Sequence, residues 1–178
     1  MDRLQRRALL SGLADSLRQK GSWCGETHLQ KATYFLQKLK KVPAGFDFFL
    51  YKHGPFSFDL RDELTAMRSD GLLDLRAQWP YGPSLIPTEE SAELREQYSR
   101  TMQKYKKQLQ FVADQLRNRN VSELEKLATA LYLTMEESQR SVSQRAKRLH
   151  ALKPHVTVDD AAKAVQEIDE IVKVSKAS

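Results

Sequence analysis

The stretch FDFFLYKHGPFSFDLRDELTAMRSDGLL, residues 46–73, decides the fold because it joins an apolar run, a Gly-Pro corner and an amphipathic helix without a linker. The run Phe46–Leu50 is rich in aromatic residues and alternates at every second position, which predicts a short strand. Gly54-Pro55 then predicts a change of direction, since glycine tolerates unusual dihedral angles and proline fixes φ and restricts the residue before it.

The helix after this corner has clear start and stop signals. Ser57 is suited to the N-cap, and Asp59 places a negative charge at the positive end of the helix dipole. Gly71 is suited to the position that follows the last turn. Between these signals the apolar residues recur at helical spacing and predict one buried stripe: Leu60, Leu64 and Met67.

The flanking elements predict a winged helix-turn-helix. Residues 4–20 have the apolar periodicity of an amphipathic helix, and Thr27-His-Leu-Gln30 has the pattern of a capping box that opens a second helix. Residues 72–76 and 84–86 are two short runs around a Pro- and Gly-rich turn, which predicts a β-hairpin wing. Helix, helix, strand, helix and hairpin follow one another in the order of that fold.

The second half of the chain predicts helices only. Thr88 caps a long helix, a capping box at Ser122 and Glu125 opens the next one, and further helices are expected over residues 141–152 and after Thr157. We therefore expect a mainly α fold with a small β-hairpin wing: a winged helix-turn-helix core over 1–87 and a helical extension over 88–178 packed on it as one compact unit.

The long helix carries a heptad-like seam. Such a seam is either part of the intramolecular core or a surface through which two copies of the chain form a homodimer over residues 98–116. Its members are Tyr98, Met102, Tyr105, Leu109, Val112 and Leu116.

Composition predicts a cytoplasmic protein without a membrane span. The chain of 178 residues has a net charge of +6, but the excess is diffuse: +4 over residues 1–87 and +2 over 88–178. Cys24 is the only cysteine, so no intramolecular disulfide is expected. No apolar run approaches the length that a membrane span requires.

Several motifs resemble a known group. The segments 28–37, 48–60 and 67–73 are similar to the Panacea, or SocA-like, antitoxin domains and to the related YwgA-like proteins of prokaryotes. Residues 124–133 and 152–155 resemble the YwgA-like pattern, so the likeness extends over about residues 25–165. The resemblance implies a non-enzymatic protein of a toxin-antitoxin or defence system that neutralises a partner by binding it.

The sequence predicts no enzyme, no cofactor and no metal site. Cys24, His28 and His53 are the only nucleophile, base or metal-ligand candidates in this region, and Cys24-x-x-x-His28 supplies two ligands where a structural zinc site needs four. We expect these three residues to have structural roles only: Cys24 as a small buried residue, His28 as a first-turn residue and His53 as a corner residue hydrogen-bonded to the backbone.

The winged-helix order raises DNA binding as an alternative. Its third helix normally enters the major groove, but residues 58–70 carry four acidic and two basic side chains, a net charge of −2 that opposes phosphate. DNA would then be bound by basic residues elsewhere. The basic residues of the second helix are expected on its outer face, and one more lies on the wing: Lys31, Lys38, Lys40, Lys41 and Arg76.

Protein binding requires fewer assumptions. Trp79 and Tyr81 lie on a turn stiffened by Pro80 and Pro83, and such aromatic side chains bind at low entropic cost. The alternative is that Trp79 folds back onto the long helix and closes the core. The predicted partner surface combines the corner, the third helix and the wing: Tyr51, Lys52, His53, Arg61, Asp62, Arg68, Trp79 and Tyr81.

Overall fold

A computed structural model describes residues 1–79, 81–137 and 141–177, without the side chains of Gln78 and Tyr81. The described chain is mainly helical with two small antiparallel hairpins, which confirms the predicted fold class. Its elements are α1 (Arg3–Gln19), α2 (Glu26–Lys38), β1 (Phe49–Tyr51), β2 (Gly54–Phe56), α3 (Phe58–Ser69), β3 (Leu73–Gln78), β4 (Tyr81–Pro87), α4 (Glu89–Gln97), α5 (Ser99–Leu116), α6 (Val121–Glu136), α7 (Val142–Leu152) and α8 (Val158–Ala177).

The start of α2 differs from the prediction. The helix begins at Glu26 after Gly25, which provides no side-chain cap, so the predicted box of Thr27 and Gln30 does not form. Gln30 is buried instead, and its amide exchanges two hydrogen bonds with the backbone of Ser57, at 2.9 and 3.0 Å. These bonds attach the start of α3 to α2, because a buried amide must find partners wherever packing places it.

Residues 49–56 form a hairpin, where a single strand followed by a corner was predicted. β1 and β2 pair antiparallel with Phe49 opposite Phe56 and Tyr51 opposite Gly54, so Lys52 and His53 form the turn. Gly54 has φ of +87°, and a Cβ on it would lie 2.8 Å from Thr129 Oγ1 on α6. Only glycine fits there, and it fixes the end of the hairpin against α6.

The α3 prediction is confirmed. The Ser57 side chain accepts from Leu60 N at the start of the helix. Leu60, Leu64 and Met67 are its buried residues, and Gly71 follows it with φ of +74°.

The predicted wing is present. β3 and β4 pair antiparallel from Leu73 opposite Pro87 to Gln78 opposite Tyr81, with an irregularity between Arg76 and Gln78. The strands are longer than predicted and the turn is correspondingly shorter. The wing and the first hairpin are separate two-stranded sheets.

The long helix predicted from Thr88 is broken into α4 and α5. Tyr98, with φ of −101° and ψ of 33°, is the C-cap of one and the N-cap of the other. The seam residues from Tyr105 to Leu116 are buried and α5 packs on α1 and α2, so the seam belongs to the core of this chain. A homodimer through residues 98–116 would have to use the outer side of α5.

The C-terminal helices cover the first hairpin and α2. Helix α6 packs on α2, β2, α7 and α8, and a single apolar cluster extends from Leu9 on α1 to Ile171 on α8. The capping box of α6 uses Asn120 and Glu123, not the predicted Ser122 and Glu125, while Ser141 caps α7. No helix within the described ranges is long and apolar enough to cross a membrane.

Candidate functional site

An aromatic cluster lies on the outer side of the first hairpin. The rings of Phe49, Tyr51, Phe56 and Phe58 contact one another, with centroids 5.2 to 6.0 Å apart. Phe49, Tyr51 and Phe58 are nevertheless 39%, 55% and 41% exposed. Large side chains grouped on the surface in this way mark an interaction site more often than scattered ones do.

Arg61 extends the cluster along α3. Its guanidinium carbon lies 4.9 Å from the centre of the Phe58 ring, and its Nη2 lies 3.0 Å from Asp62 Oδ1. The stacked guanidinium is held by these two neighbours and remains about half exposed. The predicted residues Tyr51, Arg61 and Asp62 are thus brought into one surface together with Phe58.

Behind the hairpin lies a group of charged side chains. His53 Nδ1 is 3.1 Å from Glu125 Oε1 on α6, and Lys153 Nζ is 3.6 Å from Glu125 Oε2. The sequence predicted a hydrogen bond from His53 to the backbone. In the structure its partner is instead the carboxylate of Glu125. Lys52, beside it in the turn, is exposed.

Lys31 belongs to this group and not to the outer face of α2, so its predicted exposure is wrong. Its side chain is 1% exposed, and Nζ donates a hydrogen bond to the carbonyl of Pro55 at 2.9 Å. Burial lowers its pKa to about 8, although the nearby Glu125 carboxylate acts in the opposite direction. The cause is the packing of α6 and β2 on this side of α2, which the periodicity of α2 alone does not indicate.

Lys31, His53 and Glu125 line a cavity of about 260 Å³. Rings of the hairpin form one wall, and α2 and α6 form the others. Its lining residues are Glu26, Thr27, Gln30, Lys31, Tyr51, His53, Phe56 and Glu125.

A second cavity, of about 420 Å³, lies between the start of α2, the wing and the start of α6. Trp23 is fixed at its wall because Nε1 donates to the carbonyl of Gly82 at 2.8 Å. Glu26 and Thr27 line both cavities, so the two border each other at the first turn of α2. The second cavity reaches the turn end of the wing at Gly82 and Pro83.

Trp79 at the wing tip is 92% exposed, which decides between the two sequence-based alternatives. It does not fold back onto the long helix. Pro80 and the side chain of Tyr81 lie outside the described residues. No ring contact among the described residues joins Trp79 to the aromatic cluster, so the predicted surface has one part on the hairpin and α3 and another on the wing.

Helix α3 with its C-cap, residues 58–70, repels phosphate less than its net charge of −2 predicts, because arginines of α1 pair with two of its carboxylates. Arg7 on α1 bonds Glu63 and, at 2.7 Å, Asp70, and Arg3 also bonds Glu63. Although burial acts to raise it, the pKa of Glu63 is held below its usual value by these arginines. The exposed residues Asp59, Asp62, Arg61 and Arg68 balance, so the outer face of α3 is neutral.

The residues predicted for DNA binding do not share one basic face. Lys31 is buried, and Lys38 is paired with Glu136 on α6. Lys40 Nζ donates to the carbonyl of Ser175 at 3.0 Å and lies 4.6 Å from the centre of the Phe111 ring. Lys41 and Arg76 are exposed, one after α2 and the other on the wing.

The three catalytic or metal-ligand candidates have different surroundings. Cys24 is buried with Sγ 3.7 Å from the carbonyl of Ala14, and burial raises the pKa of its thiol to about 12. His28 Nε2 donates to the carbonyl of Arg119 at 3.2 Å, and burial lowers its pKa. His53 faces Glu125. Within the described part of the chain, no three His, Cys, Asp or Glu residues are grouped as metal ligands.

Five residues of the aromatic cluster and the charged group were missed in the sequence: Phe49, Phe56, Phe58, Glu125 and Lys153. The density of aromatic residues in 46–58 was a usable signal for the first three, since a three-residue strand cannot bury all of them. Nothing in the sequence linked Glu125 or Lys153 to the hairpin, because both reach it through tertiary packing.

In comparisons with known proteins, no family model matches this chain and no curated protein shows significant sequence similarity to it.

Proposed function

We propose that this chain is a non-enzymatic protein-binding module that regulates or neutralises a partner protein by direct contact. The observation that carries the proposal is the exposed aromatic cluster of Phe49, Tyr51, Phe56 and Phe58 with Arg61 stacked on it. Tyrosine and arginine are the residue types that contribute most to protein interfaces.

The cluster is preorganised, which favours binding. Gly54 anchors the hairpin on α6, and Gln30 anchors the start of α3, so the rings are held from both sides. Binding then costs little conformational entropy. Trp79, with its large exposed area on the wing, supplies a second contact region.

The biological setting in this proposal comes from the resemblance to the Panacea and YwgA-like groups. In that setting the chain acts in the cytoplasm, as an antitoxin or defence component that covers the working surface of its partner. The mechanism needs a rigid contact surface and no chemistry at Cys24, whose buried thiol is a poor nucleophile.

Affinity capture from an extract of the native host, treated with nuclease, tests the proposal. The wild type is expected to retain a stoichiometric partner protein, and the double variant Tyr51→Ser, Phe58→Ser is expected to lose it. The matched control Leu4→Ser, Val158→Ser removes similarly exposed apolar side chains on α1 and α8 and is expected to retain it. Equal retention by both double variants, or recovery of nucleic acid alone, would contradict the proposal.

DNA binding by the winged-helix region is the second candidate. The observation that favours it is the neutral outer face of α3, because Arg3 and Arg7 offset two of its carboxylates. The distribution of Lys38, Lys40, Lys41 and Arg76 gives it less support than the aromatic cluster gives protein binding.

A further inference from the structure

The charges behind the hairpin are unequal in number. Lys31 and Lys153, 1% and 4% exposed, face a single mostly buried carboxylate, that of Glu125. Buried charges are normally paired, because an uncompensated ion in a region of low polarity is costly. The two protonated lysines therefore carry two positive charges against the one negative charge of Glu125.

The ammonium group of Lys31 also has unused donors. It carries three N–H groups. Among the described residues its one hydrogen bond goes to the carbonyl of Pro55. Lys31 lines the cavity of about 260 Å³, so an anion that enters this cavity meets a desolvated ammonium group. A charge-assisted hydrogen bond to such a group is stronger than one made in water.

The other walls of the cavity determine which chemical group attached to the anion can bind. Tyr51 and Phe56 form an aromatic wall, which an apolar or aromatic group attached to the anion can contact and a free inorganic anion cannot use. The volume accommodates about one amino-acid residue. A C-terminal residue presents its carboxylate and its side chain on the same Cα and enters as a single chain end, whereas an internal acidic residue has to bring two chain directions into the cavity.

We propose that this cavity binds the C-terminal carboxylate of an apolar or aromatic residue of the partner protein, with Lys31 as the anion-binding group and Tyr51 and Phe56 against the side chain. This inference rests on the proposed protein-binding function and specifies its anchor. Glu125 is the internal counterion, which holds Lys153 and His53 and competes with the incoming carboxylate.

Small probes test the site without the partner. Chemical shifts of lysine Cε in the full-length protein are followed by NMR at about pH 6.5, where Lys31 is protonated. N-acetyl-phenylalanine is expected to shift the Lys31 signal in a saturable manner. N-acetyl-phenylalanine amide, which differs only by the lost charge, and N-acetyl-aspartic acid amide, which mimics an internal acidic residue, are expected to bind at least tenfold more weakly. An equal response to the acid and its amide, or to the aspartyl probe, overturns the proposal.

Variants test whether each charged residue strengthens or weakens binding of the probe. Lys31→Met is expected to weaken binding of N-acetyl-phenylalanine at least tenfold, whereas Lys173→Met, the same charge change at an exposed position of α8, leaves it within twofold. Glu125→Gln is expected to strengthen binding severalfold, because it removes the competing carboxylate. Should Lys31→Met not fold, the Glu125→Gln result decides: unchanged or weaker binding overturns the proposal.

Phe58→Ser separates the function from its anchor, because Phe58 belongs to the aromatic cluster and does not line the cavity. This variant is expected to lose the partner and to keep its affinity for N-acetyl-phenylalanine within twofold; a retained partner would contradict the proposed function alone, and a wild type that captures its partner without binding the probe would contradict the anchor alone.

Discussion

Individual residues of this chain show how burial changes their chemistry. Lys31 was expected to be a surface cation and lies instead beneath the hairpin, where desolvation lowers its pKa to about 8. Gly54 was expected to be a corner residue and is instead the point at which the hairpin contacts Thr129. In both cases the neighbour that matters lies on an element distant in sequence.

The lowered pKa of Lys31 predicts a pH dependence of stability. The unfolded chain binds more protons than the folded one between about pH 8 and the ordinary lysine value of 10.5, so the contribution of Lys31 to the free energy of unfolding becomes more favourable across this range. We expect the free energy of unfolding of the wild type to rise by about 1–3 kcal/mol relative to that of Lys31→Met between pH 7 and 10.5. Urea unfolding at several pH values measures it, and a difference that does not vary with pH would contradict the burial of Lys31.

Glycine substitutions test the hairpin anchor. Gly54→Ala combines a positive φ with a Cβ 2.8 Å from Thr129 Oγ1, Gly71→Ala has the positive φ with open space, and Gly82→Ala has neither. We expect the free energy of unfolding to fall by more than about 2 kcal/mol for Gly54→Ala, by about 1 kcal/mol for Gly71→Ala and by less than about 0.5 kcal/mol for Gly82→Ala. Thermal unfolding of the three variants measures them. An equal loss for Gly54→Ala and Gly71→Ala would mean that the contact with α6 adds nothing.

At the scale of elements, buried polar residues determine how helices join. Arg7 connects α1 to the middle of α3 through Glu63 and to its C-cap through Asp70, and Gln30 connects α2 to Ser57, the N-cap of α3. These contacts replace electrostatic repulsion within α3 by attraction between helices.

Removal of the Arg7 contacts is expected to be costly. Arg7→Met leaves Glu63 without its buried partner, and we expect a loss of about 3 kcal/mol in the free energy of unfolding near neutral pH. Arg3→Met, which removes an exposed partner of the same carboxylate, is expected to cost less than about 1 kcal/mol.

The pH dependence of these two variants follows from Glu63. Its pKa is held below the ordinary value, so its contribution is present above about pH 4.5 and is lost as the pH falls through the folded-state pKa. The deficit of Arg7→Met should therefore shrink in acid. Chemical unfolding at neutral and acidic pH measures this, and a constant deficit would mean that Arg7 acts through packing alone.

For the whole molecule, the distribution of charge bears on the proposal that the partner is a protein and not DNA. The net charge of +6 is diffuse in sequence, α3 has a neutral outer face, and Lys38 and Lys40 are engaged by α6, α5 and α8. Three of the exposed aromatic residues, Phe49, Tyr51 and Phe58, are grouped on the first hairpin and the start of α3, and Trp79 lies on the wing. This distribution supports the proposal of a protein partner over that of a DNA partner.

This distribution predicts weak DNA binding. Fluorescence anisotropy with a labelled duplex is expected to give a Kd no tighter than about 10⁻⁵ M near physiological salt, with a shallow salt dependence because few phosphates are contacted. Nanomolar binding to one sequence that is lost in Arg68→Ala but retained in Lys163→Ala would establish the alternative function instead.

The sequence by itself determined the local elements of this protein. The stripe and caps of α3, the wing from Leu73 to Pro87 and the helical second half were all predictable, since hydrophobic periodicity, Ser57 and Gly71 act within a few residues of themselves. The grouping of Tyr51 and Arg61 on one surface was predicted as well, but the hairpin that brings Tyr51 against Phe58 was not.

Only the tertiary structure decided what those elements present to a partner. It turned residues 49–56 into a hairpin, exposed Trp79, buried Lys31 and brought Glu125 and Lys153 beside His53. Burial and pairing of charges depend on which helices pack together. That choice is made by the whole apolar core, from α1 to α8, and no local pattern of residues contains it.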